Sequence, residues 1–340
     1  MVAGDGGKVT IRDVAVACGV SPSTVSRAFA KPDRLSASTV RRIREAADAL
    51  GYHTRAVTTV PRRGQRHTVA VIVPDVANQF LTDLIRAAER ECEARGLGVI
   101  IAETRENAAR ERIVFDHLNA DVDGVLLASS RMPDAMIRKC AQACPVVLAN
   151  REVRGVDSVV IDLAPGIGQL VDHAVGQGFR SVTYLDGLAS SWSASVRWNQ
   201  LSKAFSDRGA SVRRFRSCPP TYEGGARQVE RYLEQPTELV IAHNDMMALG
   251  FIAAMRRHGC ECPKDVAVIG FDNTMSGQLG KPSLTSVHTG AGQLGDSAAR
   301  LLLDRIEGAS SGEGRAMRVR SSLIVRESTL RQQVRENGER

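Results

Sequence analysis

Nowhere does this 340-residue sequence run eighteen apolar residues without a charge, and its opening MVAGDGGKVT has no basic segment followed by an apolar one. Neither a membrane span nor a secretory signal is expected, which points to the cytoplasm. The seven cysteines (Cys18, Cys92, Cys140, Cys144, Cys218, Cys260, Cys262) form neither a paired CxxC motif nor a Cys/His cluster of zinc type. Reduced structural thiols, and no metal centre, are the expectation. No G-x-G-x-x-G follows an apolar run, GQLGKPS does not fit a phosphate loop, and no G-x-S-x-G elbow occurs. Dinucleotide, phosphate-loop and serine-hydrolase chemistry thus lack their signatures, so no catalytic residue and no cofactor is expected. An enzyme of sugars or sugar phosphates with an accessory DNA-binding domain keeps only fold-level support.

Positive charge is also missing, from most of the chain. Residues 1–66 hold 12 Lys/Arg against 5 Asp/Glu, while the remaining 274 residues hold 33 of each sign. The whole net charge of +7 therefore sits in the first fifth. Such a distribution reads as a polyanion-binding module attached to a neutral body.

What that module contains is VTIRDVAVACGVSPSTVSRAF, residues 9–29. A helix is predicted from Ile11 to Cys18, with Thr10 as its cap and Asp13 in the favourable first turn. Gly19 supplies the left-handed residue that ends it. A second helix starts at Ser21 as cap, with Pro22 in the first position, where a missing N–H costs nothing. Val25 and Phe29 fall on its packing face, while Ser23, Thr24, Ser26 and Arg27 project elsewhere. Two helices across a tight glycine turn make a helix-turn-helix, whose second helix enters the DNA major groove. Small hydroxyl residues permit close approach, and Arg27 is the candidate for bidentate contact with a guanine edge; Pro22 offers only apolar contact. SASTVRRIREAADALGY then predicts a third helix capped by Ser36 or Ser38, with Val40, Ile43, Ala46, Ala47 and Leu50 as its apolar stripe and Gly51 as its stop.

Beyond Gln65 the pattern changes to apolar runs (TVAVIV, GVII, GVLLAS, PVVLA, SVVI, SVTYL, ELVIA, VAVIGF) alternating with amphipathic stretches such as TDLIRAAERECEARG. These read as buried parallel strands and covering helices, a doubly wound α/β body. Ligands bind such sheets beyond the carboxyl ends of the strands. The polar residues found there are Asn78, Phe80, Ser129 to Arg131, Asn150, Arg151, Asp162, Asn244, Asp245 and Asp272, with Trp192 and Arg197 in the loop and first helical turn after SVTYL. Carboxylates, amides, arginine and aromatic faces suit a small polar ligand such as a sugar or nucleoside. Asp245 and Asp162 are equally placed to cap helices, and His243 reads as structural.

VTIRDVAVACGVSPSTVSRAF followed by LSASTVRRIREAADALGY resembles the headpiece of the lactose/galactose repressor (LacI/GalR) family, and VDGVLLASS, AHNDMMALG, VIGFDN and KPSLTSV resemble that family's core. The resemblance implies an all-α helix-turn-helix headpiece (1–52), a hinge or linker (53–66), and a periplasmic-binding-protein-like core (67–340) of two doubly wound parallel-sheet subdomains joined by crossing strands. It implies a homodimeric, nucleoid-associated repressor on a palindromic double-stranded operator, controlled by an effector between the subdomains. By resemblance Ser21, Pro22, Ser23, Ser26 and Arg27 belong to the reading helix, and Thr10, Ser36, Thr39 and Tyr52 contact phosphates, with Thr24 and Arg55 beside them. Arg197, Asn244 and Asp272 line the cleft, where Trp192 stacks on the ligand. The hinge departs from the family: HTRAVTTVPRRG is β-branched and puts Pro61 where a minor-groove leucine is expected, leaving Val60 or Pro61 as the candidate wedge. The polar tail RQQVRENGER has no leucine repeat, so a dimer is expected.

Overall fold

A computed structural model describes residues 10–30, 35–50, 66–308 and 314–330, which fall into two compact units, Met1–Gln65 and Arg66–Arg340.

The first unit holds helices α1 (Ile11–Cys18), α2 (Pro22–Ala30) and α3 (Ala37–Ala49). Asp13 reaches back to the start of α1, accepting from the Thr10 N–H at 2.7 Å and from its hydroxyl at 2.6 Å. Gly19 ends α1 at φ +61°, a left-handed conformation that costs glycine nothing. The Ser21 Oγ accepts the Thr24 N–H at 3.2 Å and the Ser36 Oγ accepts that of Thr39 at 3.3 Å, so both serines meet otherwise orphaned amides. Val14, Ala15, Cys18, Val25, Ala28, Ile43 and Ala47 form the buried core of the three helices. Leu50, expected on the stripe of α3, is instead exposed: it stands just beyond the helix, where its direction no longer follows the helical period. The Phe29 side chain lies outside what is described.

In the second unit the strands are β1 (Thr68–Val73), β2 (Gly98–Glu103), β3 (Gly124–Ala128), β4 (Val146–Ala149), β5 (Asp157–Asp162), β6 (Ser181–Leu185), β7 (Ser211–Phe215), β8 (Leu239–Ala242), β9 (Ala267–Phe271), β10 (Thr285–His288), β11 (Ala316–Arg320) and β12 (Ser322–Ile324). One sheet has the order β11-β5-β4-β3-β1-β2 and the other β12-β10-β9-β8-β6-β7, each the centre of a lobe. Their central strands are buried apolar runs, covered by helices as parallel sheets require. Two expectations are corrected. GVII, read as buried, lies on the edge strand β2 and is largely exposed, because only one neighbour covers it. The second sheet is not wholly parallel, since β12 returns antiparallel to β10.

The chain passes between lobes three times: after β5, between β10 and the helix Ala291–Ile306, and between β11 and β12. No described helix is long and apolar enough to cross a membrane.

Candidate functional site

The two units carry different candidate surfaces. On the first, Ser21, Pro22, Ser23, Ser26 and Arg27 are exposed along α2, and Thr24 is half-buried. The Ser21 hydroxyl lies 2.8 Å from that of Ser23 and 2.9 Å from that of Thr24, a local polar cluster that leaves α2 slim. Thr10 and Ser36 are exposed and Thr39 half-buried, each at the opening turn of a helix. Exposed Arg41, Arg42 and Arg44 add charge on α3. A slim helix that carries one exposed arginine among small hydroxyls has the shape a major groove admits. Tyr52, Arg55, Val60 and Pro61 lie outside the described residues, as does the hinge around them.

In the second unit the carboxyl ends of the strands face one another across a narrow polar cleft. Asn78, Phe80, Ser129, Arg131, Asn150, Asn244 and Asp272 line it, as do Pro74, Leu81, Glu106, Ser193, Pro220 and His243. Backbone strain gathers at the same end: Arg105, Glu106, Ser129, Asn150, Asp272 and Asn273 all follow strands and all have left-handed φ between +50° and +101°. Non-glycine residues hold that conformation only where surrounding contacts enforce it.

From the first lobe, Asn78 accepts the Phe80 N–H at 3.0 Å and so opens the helix Gln79–Ala94 while facing the cleft. The Asn150 amide donates to the Ser129 hydroxyl at 2.9 Å. Arg131 donates through Nε to Glu106 at 2.5 Å and through Nη1 to the Ser129 carbonyl at 2.8 Å. Behind it the buried Glu111 accepts the Arg131 N–H at 2.8 Å, and burial raises its pKa above the usual carboxylate range.

From the second lobe, Arg197 reaches up from the helix Trp192–Ser206, donates to the His243 carbonyl and, at 3.3 Å, to Asp272, and lies 4.7 Å over the Phe271 ring. Arg197 and Asp272 are a buried pair, and burial raises the Asp272 carboxyl despite the guanidinium beside it. His243 receives the Tyr184 hydroxyl contact at 3.3 Å, and burial, with Arg197 and Arg131 nearby, holds it well below its ordinary pKa and therefore neutral. Asn244 caps the helix Asp245–Arg257 by accepting the Met247 N–H at 2.9 Å and donates to the Pro220 carbonyl at 2.9 Å, so its amide positions two elements of the wall.

Several expected residues stand elsewhere. Arg151 turns to Asp134 (2.8 Å) and the Met132 carbonyl (3.3 Å) and is not among the residues lining the cleft. Trp192 starts its helix half-buried and also falls outside the lining, and Arg197 stands in the second turn, under Asp272. Asp245 neither caps nor faces the cleft: it is fully buried, accepting from the Thr274 N–H and hydroxyl at 2.7 and 2.9 Å and the Ser286 hydroxyl at 2.6 Å. Asp162 accepts the Ala164 N–H at 3.3 Å, a local turn contact. Glu106, Ser193 and Pro220 were not foreseen. Glu106 follows β2 by three residues, and reading that strand to its true end at Glu103 would have pointed to it. All seven cysteines are free thiols, and no metal-ligand cluster occurs among the described residues.

Residues 10–55 match the model of bacterial regulatory proteins of the lacI family, and residues 171–329 that of the periplasmic binding protein-like domain. The chain is 31% identical over 328 residues to the HTH-type transcriptional repressor CytR of Escherichia coli (strain K12), covering 94% of this chain and 96% of that protein. Among solved structures it is similar to the transcriptional regulator CelR in complex with cellobiose (TM-score 0.71, 27% identity, 94% of this chain and 100% of that one). It shares its fold with the Lac repressor dimer bound to operator and the anti-inducer ONPF (TM-score 0.76, 23% identity, 96% and 100%). These relatives regulate transcription and are not enzymes.

Proposed function

The chain belongs to the LacI family of bacterial regulatory proteins, and from that premise we propose that it represses transcription as a homodimer on a palindromic DNA operator, controlled by a small polar effector in the cleft. Residues 1–52 serve as the headpiece, 53–66 as the link and 67–340 as the effector-binding and dimerising core. The observation that carries the reading is the exposed α2 face, small hydroxyls around a single arginine, in the same chain as a polar cleft between two lobes. Arg27 reads a base, whereas Thr10, Ser36 and Thr39 hold phosphates and set register. The effector is a sugar or nucleoside, contacted by Asn78, Ser129, Asn150 and Asp272, with Arg197 and Asn244 holding the wall in shape. The exposed Ile100 and Ile101 on β2 supply an apolar edge for the second copy.

Selection of binding sites from a random duplex library at moderate salt tests this, because salt suppresses non-specific phosphate binding. The expected result is an enriched palindrome. The Arg27→Ala variant should lose preference at one base pair per half-site, a cost of about 1–3 kcal/mol, while keeping its salt-dependent binding to unrelated DNA. Equal loss on all sequences would assign Arg27 to phosphate contact instead.

A further inference from the structure

We propose that the Glu106–Arg131 pair makes the cleft selective for an uncharged, polyhydroxylated ligand and rejects the phosphorylated form of the same ligand. This rests on the cleft being the effector site. Arg131 lines the cleft from the first lobe, Arg197 lies beneath the lining residue Asp272 of the second, and each arginine is already engaged by a carboxylate of its own lobe. Arg131 is held by Glu106 with only 7% of its side chain exposed, and Arg197 by Asp272 with 3% exposed. The four charges sum to zero, so the walls present no net attraction for an anion. Phosphate recognition by arginine uses a free planar fork, and here both forks are occupied on at least one arm.

The polar atoms left over favour hydroxyls. Among the described residues no protein group takes the Nη2 of Arg131 or the Nδ2 of Asn78, both donors, and none donates to the second carboxylate oxygen of Glu106 or of Asp272, both acceptors. A sugar hydroxyl donates and accepts, so one ring can satisfy both kinds. A phosphate dianion only accepts, and would leave two carboxylates desolvated against a like charge, a heavily penalised arrangement.

The test titrates the purified full chain, by calorimetry and thermal shift, with uncharged pentoses and hexoses including D-ribose and D-glucose, and with ribose 5-phosphate and glucose 6-phosphate. The expected outcome is that an uncharged sugar binds at least tenfold tighter than its phosphate. Glu106→Gln, which frees Arg131, should raise affinity for the phosphate at least tenfold and so shrink the discrimination, with the ligand-free melting curve confirming that the variant folds. A phosphate that binds the unaltered protein as well as its parent sugar overturns the proposal while leaving the effector site in place. So does an unchanged ratio in folded Glu106→Gln. If no sugar, charged or uncharged, shifts the melting curve, this inference fails, and the effector reading of the cleft fails with it only if nucleosides leave the curve unmoved as well.

Discussion

Asp245 shows how much a single residue can set the behaviour of the second lobe. Its carboxyl is fully enclosed, and burial, reinforced by the negative charge of Asp272, pushes its pKa up to about 7 against the pull of three hydrogen-bond donors. A carboxyl whose folded pKa lies above its unfolded value holds its proton longer in the native state, so between about pH 4 and 7 the native state binds more protons and stability falls as pH rises. Melting temperature measured across that window should decline in the unaltered protein, and Asp245→Asn, which cannot ionise, should show a flatter profile. The difference between the two profiles should amount to about 2–4 kcal/mol across the window. Parallel profiles would mean that the Thr274 and Ser286 donors keep Asp245 ionised throughout.

At the scale of elements, legibility in the sequence follows burial. The central strands β1, β3, β4, β6, β8 and β9 are continuous apolar runs because helices cover both faces, and a run of that kind has few other readings. The strands β7 (SVRRF), β11 (AMRVR) and β12 (SLI) went unread at sheet edges, where charged residues are tolerated, and the interior β10 (TSVH) went unread because two of its three buried residues, Thr285 and Ser286, are polar. The cleft was legible to the same degree. Asn78, Ser129, Asn150 and Asp272 each stand just past a readable strand, whereas Ser193 and Pro220 reach the cavity through loop paths that no local pattern encodes. Trp192, at the start of its helix in the expected loop, is not among the residues that line the cleft. The edge strand β2 gives a prediction of its own. Its Ile101 is half exposed on an edge strand, and an apolar edge of this kind invites pairing with another chain. Ile101→Lys should convert the dimer to a monomer in analytical ultracentrifugation while changing the melting temperature little, because the side chain is not in the core. A dimer that persists would place the contact between copies away from this edge.

Across the whole molecule, the excess positive charge belongs to residues 1–66 and the cleft to a body of balanced charge, so in the proposed regulator the coupling of effector to DNA is expected to travel through conformation. The three passages between lobes are the natural place for that conformational variable. Ser321, between β11 and β12, donates its N–H to the Asp162 carbonyl at 3.1 Å and its hydroxyl to the same oxygen at 2.7 Å, and its Oγ accepts the Gly166 N–H at 3.1 Å. Gly166 has no room for a side chain there: a Cβ would stand 2.6 Å from the Ser321 Oγ and 2.8 Å from Val287 near the end of β10. Packed this closely, the crossings restrict the lobes to hinge-like motion about one point. Linkage then requires that the factor by which effector alters operator affinity equal the factor by which operator alters effector affinity, commonly about 5- to 150-fold. Measuring both dissociation constants in the presence and absence of the other ligand should return one number. Ser321→Ala, which keeps the backbone bond to Asp162 but removes the hydroxyl bond to it and leaves the Gly166 N–H without its acceptor, should lower that number in both directions together while each ligand still binds alone. Loss of effector binding itself would show instead that Ser321 shapes the cleft, and an unchanged factor would move the coupling element away from the crossings.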